Sequence, residues 1–203
     1  MLFQENKFLQ NLFLNKSVLE IGCNQGLTTL QISKFAKKVV AIDNNKNHIY
    51  FAKKLRIKKN IKYLQIEMFD KKAMYRLGKF EIIYLREIFN FLKVNDKRKI
   101  IKILQKILQV NGKIIITDFY SNVFVRKKIL NFIKLNDYKI FSIDKKSKIY
   151  HFQNKRDLKI FFDKLNMNLL IFTKDPLTKH IGFLSKIIEY VYPCKYTAIV
   201  NRK

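Results

Sequence analysis

The chain has 203 residues, 48% of them hydrophobic, with 42 Lys and Arg against 15 Asp and Glu, giving a net charge of +27 and a pI near 10.1. That length and apolar content suit one well-buried domain and exclude a disordered chain. No apolar run reaches the ~18 residues of a membrane span, because Lys or Asn interrupts every stretch.

The start, Met-Leu-Phe-Gln-Glu-Asn-Lys-Phe, lacks the basic lead and apolar core of a signal peptide. The two cysteines, Cys23 and Cys194, lie far apart, and free thiols in a reducing, cytoplasmic setting are expected. Apolar spacing at Phe3, Phe8, Leu9, Leu12 and Phe13 predicts an amphipathic N-terminal helix over residues 3–14. Residues 17–22 form a first strand that enters Val-Leu-Glu-Ile-Gly-Cys-Asn-Gln-Gly (Val18 to Gly26), a turn with glycines at Gly22 and Gly26. A helix over 27–36 follows, then a second strand at 38–43 that ends in Asp43.

Strand, glycine turn, helix, strand and terminal acid is the arrangement that grips a nucleoside at the carboxyl edge of a parallel sheet. Glycine lets the backbone turn tightly and approach a ligand without a Cβ in the way. Asn24 stands where a middle glycine is usual, so it must adopt positive φ or turn its side chain toward the ligand. No Lys-Ser or Lys-Thr follows the loop, which argues against a phosphate-binding P-loop.

Further along, a helix is expected at 46–56, a strand at 61–66, a strand at 80–85, a helix at 95–109 ending at Asn111-Gly112, and a strand at 113–118. Four strand-helix units in a row predict a doubly wound, mostly parallel α/β sheet with helices on both faces. Beyond them come a helical segment at 123–135, a helix at 154–165 and strands at 168–173 and 196–200, giving seven strands with an antiparallel terminal strand.

These motifs resemble the class I S-adenosylmethionine-dependent methyltransferases, clearly over residues 17–120 and in outline beyond. The resemblance implies that Glu20, Gly22, Cys23, Asn24 and Gly26 form the loop around the methionine part of S-adenosylmethionine. It implies that Asp43, with Asn44 beside it, binds the ribose hydroxyls; the alternative is that Asp43 caps the next helix. Glu67 then takes the adenine-binding acid position, with Asp70 as competitor, and Met68 supplies an apolar face. Leu85 stands over the methyl donor at the end of the fourth strand, and Arg86 either binds an anionic substrate or pairs with Glu87 or Glu81.

No Asn-Pro-Pro-Tyr or Asp-Pro-Pro-Tyr follows that strand, which disfavours base N-methylation in that style, and no cysteine there supports attack on a pyrimidine carbon. His151, Asp118 and Tyr120 are the candidates for a catalytic base. His48 is read as solvent-facing, His180 as a loop residue, and no Cys/His spacing suggests a metal. The resemblance divides one domain, 1–203, into an N-terminal helix (1–16), a cofactor-binding core (17–120), an acceptor-pocket insert (121–153) and a C-terminal helix with a strand pair (154–203).

Phe124, Phe132, Tyr138, Phe141, Tyr150 and Phe152 in the insert suggest an apolar or aromatic small-molecule acceptor, such as a lipid-like quinone or a tetrapyrrole precursor. The charge offers a rival partner, RNA or an anionic membrane surface, and hence RNA methylation. Yet 35 of the 42 cations are lysines, beside abundant Ile, Asn and Phe, as AT-rich codons alone would produce. A non-catalytic cofactor-binding subunit of a partner enzyme is the third expectation.

Overall fold

The computed structural model describes residues 7–120, 155–175 and 194–203. The chain runs through α1 (Lys7–Phe13), β1 (Ser17–Ile21), α2 (Leu27–Ile32), β2 (Lys38–Asp43), α3 (Lys46–Leu55) and β3 (Ile61–Gln65). There follow α4 (Lys71–Arg76), β4 (Phe80–Arg86), a 3-10 turn at Phe89–Phe91, α5 (Val94–Ile107) and β5 (Leu108–Tyr120). Then come α6 (Lys155–Asp163), β6 (Met167–Asp175) and β7 (Cys194–Arg202).

Among the described residues seven strands form one sheet in the order β3-β2-β1-β4-β5-β7-β6. The five strands β1 to β5 pair in parallel, and β7 runs antiparallel between β5 and β6. The order reverses between β1 and β4, so the loops leaving their carboxyl ends part and open a crevice there.

Side chains alternate along each strand, and both faces find a cover. Leu19 and Ile21 of β1 pack with Met74 of α4, Ile100 and Leu104 of α5, and Phe162 of α6. Val18 faces the other way, onto Leu9 and Phe13 of α1 and Ile32 of α2. Ala41 of β2 joins Ile49 and Ala52 of α3 on that same side. The longest helix, α5, buries Lys97, Ile100, Ile101, Ile103, Leu104 and Ile107, a stripe at three- and four-residue spacing. At the amino edge Lys16 and the Ser17 amide hold the Glu81 carboxylate, keep its carboxyl below the usual range and tie β1 to β4.

Several expected boundaries shift. Helix α4 and the 3-10 turn are too short to give an apolar period and were not expected from the pattern. Strand β5 begins at Leu108, directly after α5, and Asn111-Gly112 sits within its course: Leu108 pairs with Phe80 and Lys113 with Ile82, so residues 109–112 bow out of the ladder. Gly112 is needed for closeness, since a Cβ there would stand 2.8 Å from Leu108 and 3.0 Å from the Glu81 carbonyl. Residues 1–6, 121–154 and 176–193, which include the expected helical segment at 123–135, the aromatic insert, His151 and His180, lie outside the described residues. No helix among the described residues is long and apolar enough to cross a membrane.

Candidate active site

A cleft of about 810 Å³ opens at the carboxyl ends of β1, β2 and β4. Its floor is the turn after β1. Gly22 and Gly26 hold φ of 69° and 82°, in the left-handed region that only glycine enters freely. A Cβ on Gly22 would lie 2.1 Å from Ile88 Cδ1, and one on Gly26 would lie 2.6 Å from the Tyr63 hydroxyl. The Gly22 and Cys23 amides both donate to the Ile42 carbonyl, at 2.8 and 3.0 Å, which hooks the turn onto β2.

Asn24 resolves its sequence-level choice by adopting φ of 51°. Its side-chain oxygen turns back to accept from the Gln25 amide at 2.8 Å, and its own amide donates to Asp43 Oδ2 at 2.9 Å. Asparagine tolerates this backbone because its short polar side chain bonds locally.

Asp43 therefore organises the corner. Its Oδ1 accepts from the Asn45 amide at 2.9 Å and lies 3.3 Å from His48 Nδ1. The helix cap is Asn45, which accepts from the Asn47 and His48 amides, so Asp43 does not cap α3. His48 is not a free surface residue; at the third position of α3 it folds back onto Asp43. A carboxylate offers about four lone-pair directions, so these three partners leave one, on Oδ2. A second hydroxyl donor would have to displace His48.

The strand-three acids separate cleanly. Glu67 lines the cleft and accepts from Asn44 Nδ2 at 3.0 Å, beside Ile66 and Met68. Asp70 caps α4 by accepting from the Ala73 amide at 3.0 Å. Glu20 is buried beneath the turn, where Thr29 donates to it at 2.5 Å. Burial pushes its carboxyl up to about 7, against the lowering pull of Thr29 and Arg86. Cys23 is a buried free thiol, and burial, with Glu20 and Asp43 nearby, pushes it well above its ordinary value.

Two expected positions are corrected. Leu85 does not stand over the cleft: it is fully buried on the α5 side, because it shares the face of Ile83 on β4. Asp118 does not reach the cleft either. It is 1% exposed and faces α5, accepting from the Asn90 amide at 2.8 Å. Lys97 of α5 is buried there too, 5.4 Å from the Phe89 ring centre; burial lowers its ammonium to about 8, although Asp118 pulls the other way. Tyr120 pairs through its backbone with Cys194, and its side chain is outside the described atoms.

Arg86 lines the cleft and pairs with Glu87, one of its two expected partners, its Nε 3.4 Å from Glu87 Oε1; it also donates to Thr28 Oγ1 at 2.7 Å. Glu81 is engaged elsewhere. Sequence reasoning missed Thr28, Glu87, Ile88 and Phe91, which line the cleft as well. Glu87 carries φ of 55°, a strained backbone for a residue of its kind that no sequence signal announces. Leu27 and Phe91 form an apolar lip, 62% and 56% exposed.

A family model described as a methyltransferase domain matches residues 13–169. Among solved structures, an S-adenosylmethionine-dependent methyltransferase from Anabaena variabilis aligns with a TM-score of 0.70 at 17% identity, over 95% of this chain and 80% of that one. One from Methanosarcina mazei gives 0.68 at 15% identity, over 97% of each chain. A magnesium protoporphyrin IX methyltransferase from Synechocystis, with bound S-adenosylhomocysteine, gives 0.64 at 12% identity, over 95% and 76%. No curated protein matches the chain by sequence.

Proposed function

The chain belongs to the class I S-adenosylmethionine-dependent methyltransferases, and on that premise we propose that it methylates an oxygen or nitrogen of a small, apolar or aromatic metabolite. The observation that carries the reading is that one cleft has two unlike halves. Asp43, Asn44, Glu67 and the glycine turn make a polar inner half, while Leu27, Ile88 and Phe91 make an apolar lip.

The inner half fits the donor. Asp43 retains one acceptor direction for a hydroxyl, and Ile66 and Met68 offer apolar surface to a planar ring. When bound, the donor supplies a methyl group already activated on a sulfonium sulfur. The chain's own contribution is then placement. Glu20 lies buried under the turn that receives the donor's cationic end, its carboxyl raised by burial to about 7. Arg86, held by Thr28 and Glu87, marks the boundary between the halves. Leu27 and Phe91 can hold an apolar acceptor and shed water from it.

Labelled S-adenosylmethionine incubated with fractionated cell extract tests the reading. Label is expected in the organic-soluble fraction, whereas label in RNA would overturn the small-molecule assignment. Donor binding without transfer to any acceptor pool would favour a non-catalytic subunit.

A further inference from the structure

Helix α3 and the turn after it form a surface that the methyl-transfer reading does not use. Residues 44–66 contain seven Lys and Arg and no Asp or Glu. Among the described residues none of those seven makes an ion pair. A solvated helix face would carry polar groups between its lysines. Here the outward positions carry Tyr50, Phe51 and Leu55, with Ile57 just beyond, exposed by 58, 42, 54 and 79%. The inward positions, Ile49 and Ala52, pack on β2 as expected.

We propose that this face docks the protein on an anionic lipid surface, with Leu55, Ile57 and Phe51 entering the headgroup boundary and Lys53, Lys54 and Lys58 resting on the lipid phosphates. Lysine beside exposed aliphatic and aromatic side chains is the composition of a helix lying in a membrane interface. RNA fits the face less well. Leu55 and Ile57 have no stacking surface to offer, and the rings of Tyr50 and Phe51 meet edge to face, 5.5 Å apart at 74°, rather than as parallel platforms. Arginine, which forks onto phosphate, supplies only Arg56 of the seven cations.

The test is sedimentation of the full chain with vesicles of phosphatidylcholine alone and of an equimolar phosphatidylcholine–phosphatidylglycerol mixture. Binding is expected to the mixture and at least about tenfold less to the neutral vesicles, since each basic residue at an anionic surface strengthens partition roughly fivefold. Leu55→Ser with Ile57→Ser should lower that binding at least about tenfold, persisting at high salt, because the lost contact is apolar. Lys53→Glu with Lys54→Glu should also lower it, while Lys102→Glu with Lys106→Glu, exposed on α5 across the sheet, should leave most of it. Far-UV circular dichroism and donor affinity, both unchanged, would report that the variants fold.

Equal loss from the α5 pair would overturn the proposal, reducing the effect to bulk charge. So would preferential binding to polyuridylate that the serine variants leave intact, or a dimer that those variants dissociate. Because binding is read without methyl transfer, it stands apart from the proposed activity.

Discussion

Asp43 closes β2 and Asp118 lies near the end of β5, each at the carboxyl edge of the same sheet, yet their surroundings oppose one another. Asp43 stands beside the crevice between β1 and β4, holds the Asn24 amide and keeps one acceptor direction open. Asp118 is roofed by the Phe89–Phe91 turn, flanked by β7 with Tyr196 opposite in register, and turned toward Lys97. A strand-end acid thus meets a ligand only where the loops part and the alternation of side chains points it there. Elsewhere the same residue type pins a turn.

Truncating the pinning acid has the largest expected effect. Asp118→Ala removes the carboxylate that accepts from the Asn90 amide and faces the buried Lys97, which costs about 3–4 kcal/mol of stability, measurable by urea denaturation. Asp118→Asn, which keeps an acceptor, should lose less. In the opposite corner Glu20 should govern a pH dependence. Its folded-state carboxyl is raised from 4.5 to about 7, so the folded state binds the extra proton between those values. Stability should therefore fall as pH rises through that window, by up to about 3 kcal/mol, and level off above it. Glu20→Gln should flatten the slope; a slope unchanged in that variant would assign the titration elsewhere.

Much of this contrast is legible in the amino-acid sequence. The glycine spacing, the acid at the end of β2 and the alternation of strands and helices identify the sheet and its crevice, because each reflects a local backbone or burial demand. The shared fate of Leu85 and Asp118, both buried toward α5, is not legible, since a strand buried on both faces has no polar face to betray its phase. His48 was missed because its role depends on Asn45 capping α3 and turning the third helical residue back. Glu87 gives no composition signal at all: its left-handed backbone is imposed by the handover from β4 to the Phe89 turn, where its amide meets the Thr117 carbonyl.

The Asp43 corner yields a smaller effect and then the smallest. Asp43→Ala removes a charge-assisted ligand and the anchor of Asn24 together, so donor affinity should fall about thirtyfold, or about 2 kcal/mol. His48→Ala removes only a competitor for the same carboxylate, and donor affinity should stay within about threefold of the parent or tighten. A large loss there would make the imidazole a donor-binding group rather than a competitor.

The most direct measurement is titration calorimetry of S-adenosylmethionine against the parent chain, Asp43→Ala and Asp118→Asn, each first verified as folded. The predicted result is a loss of at least about tenfold for Asp43→Ala with near-parent affinity for Asp118→Asn. Parent affinity in Asp43→Ala, or a loss confined to Asp118→Asn, would contradict the placement of the donor at the β1–β2 corner.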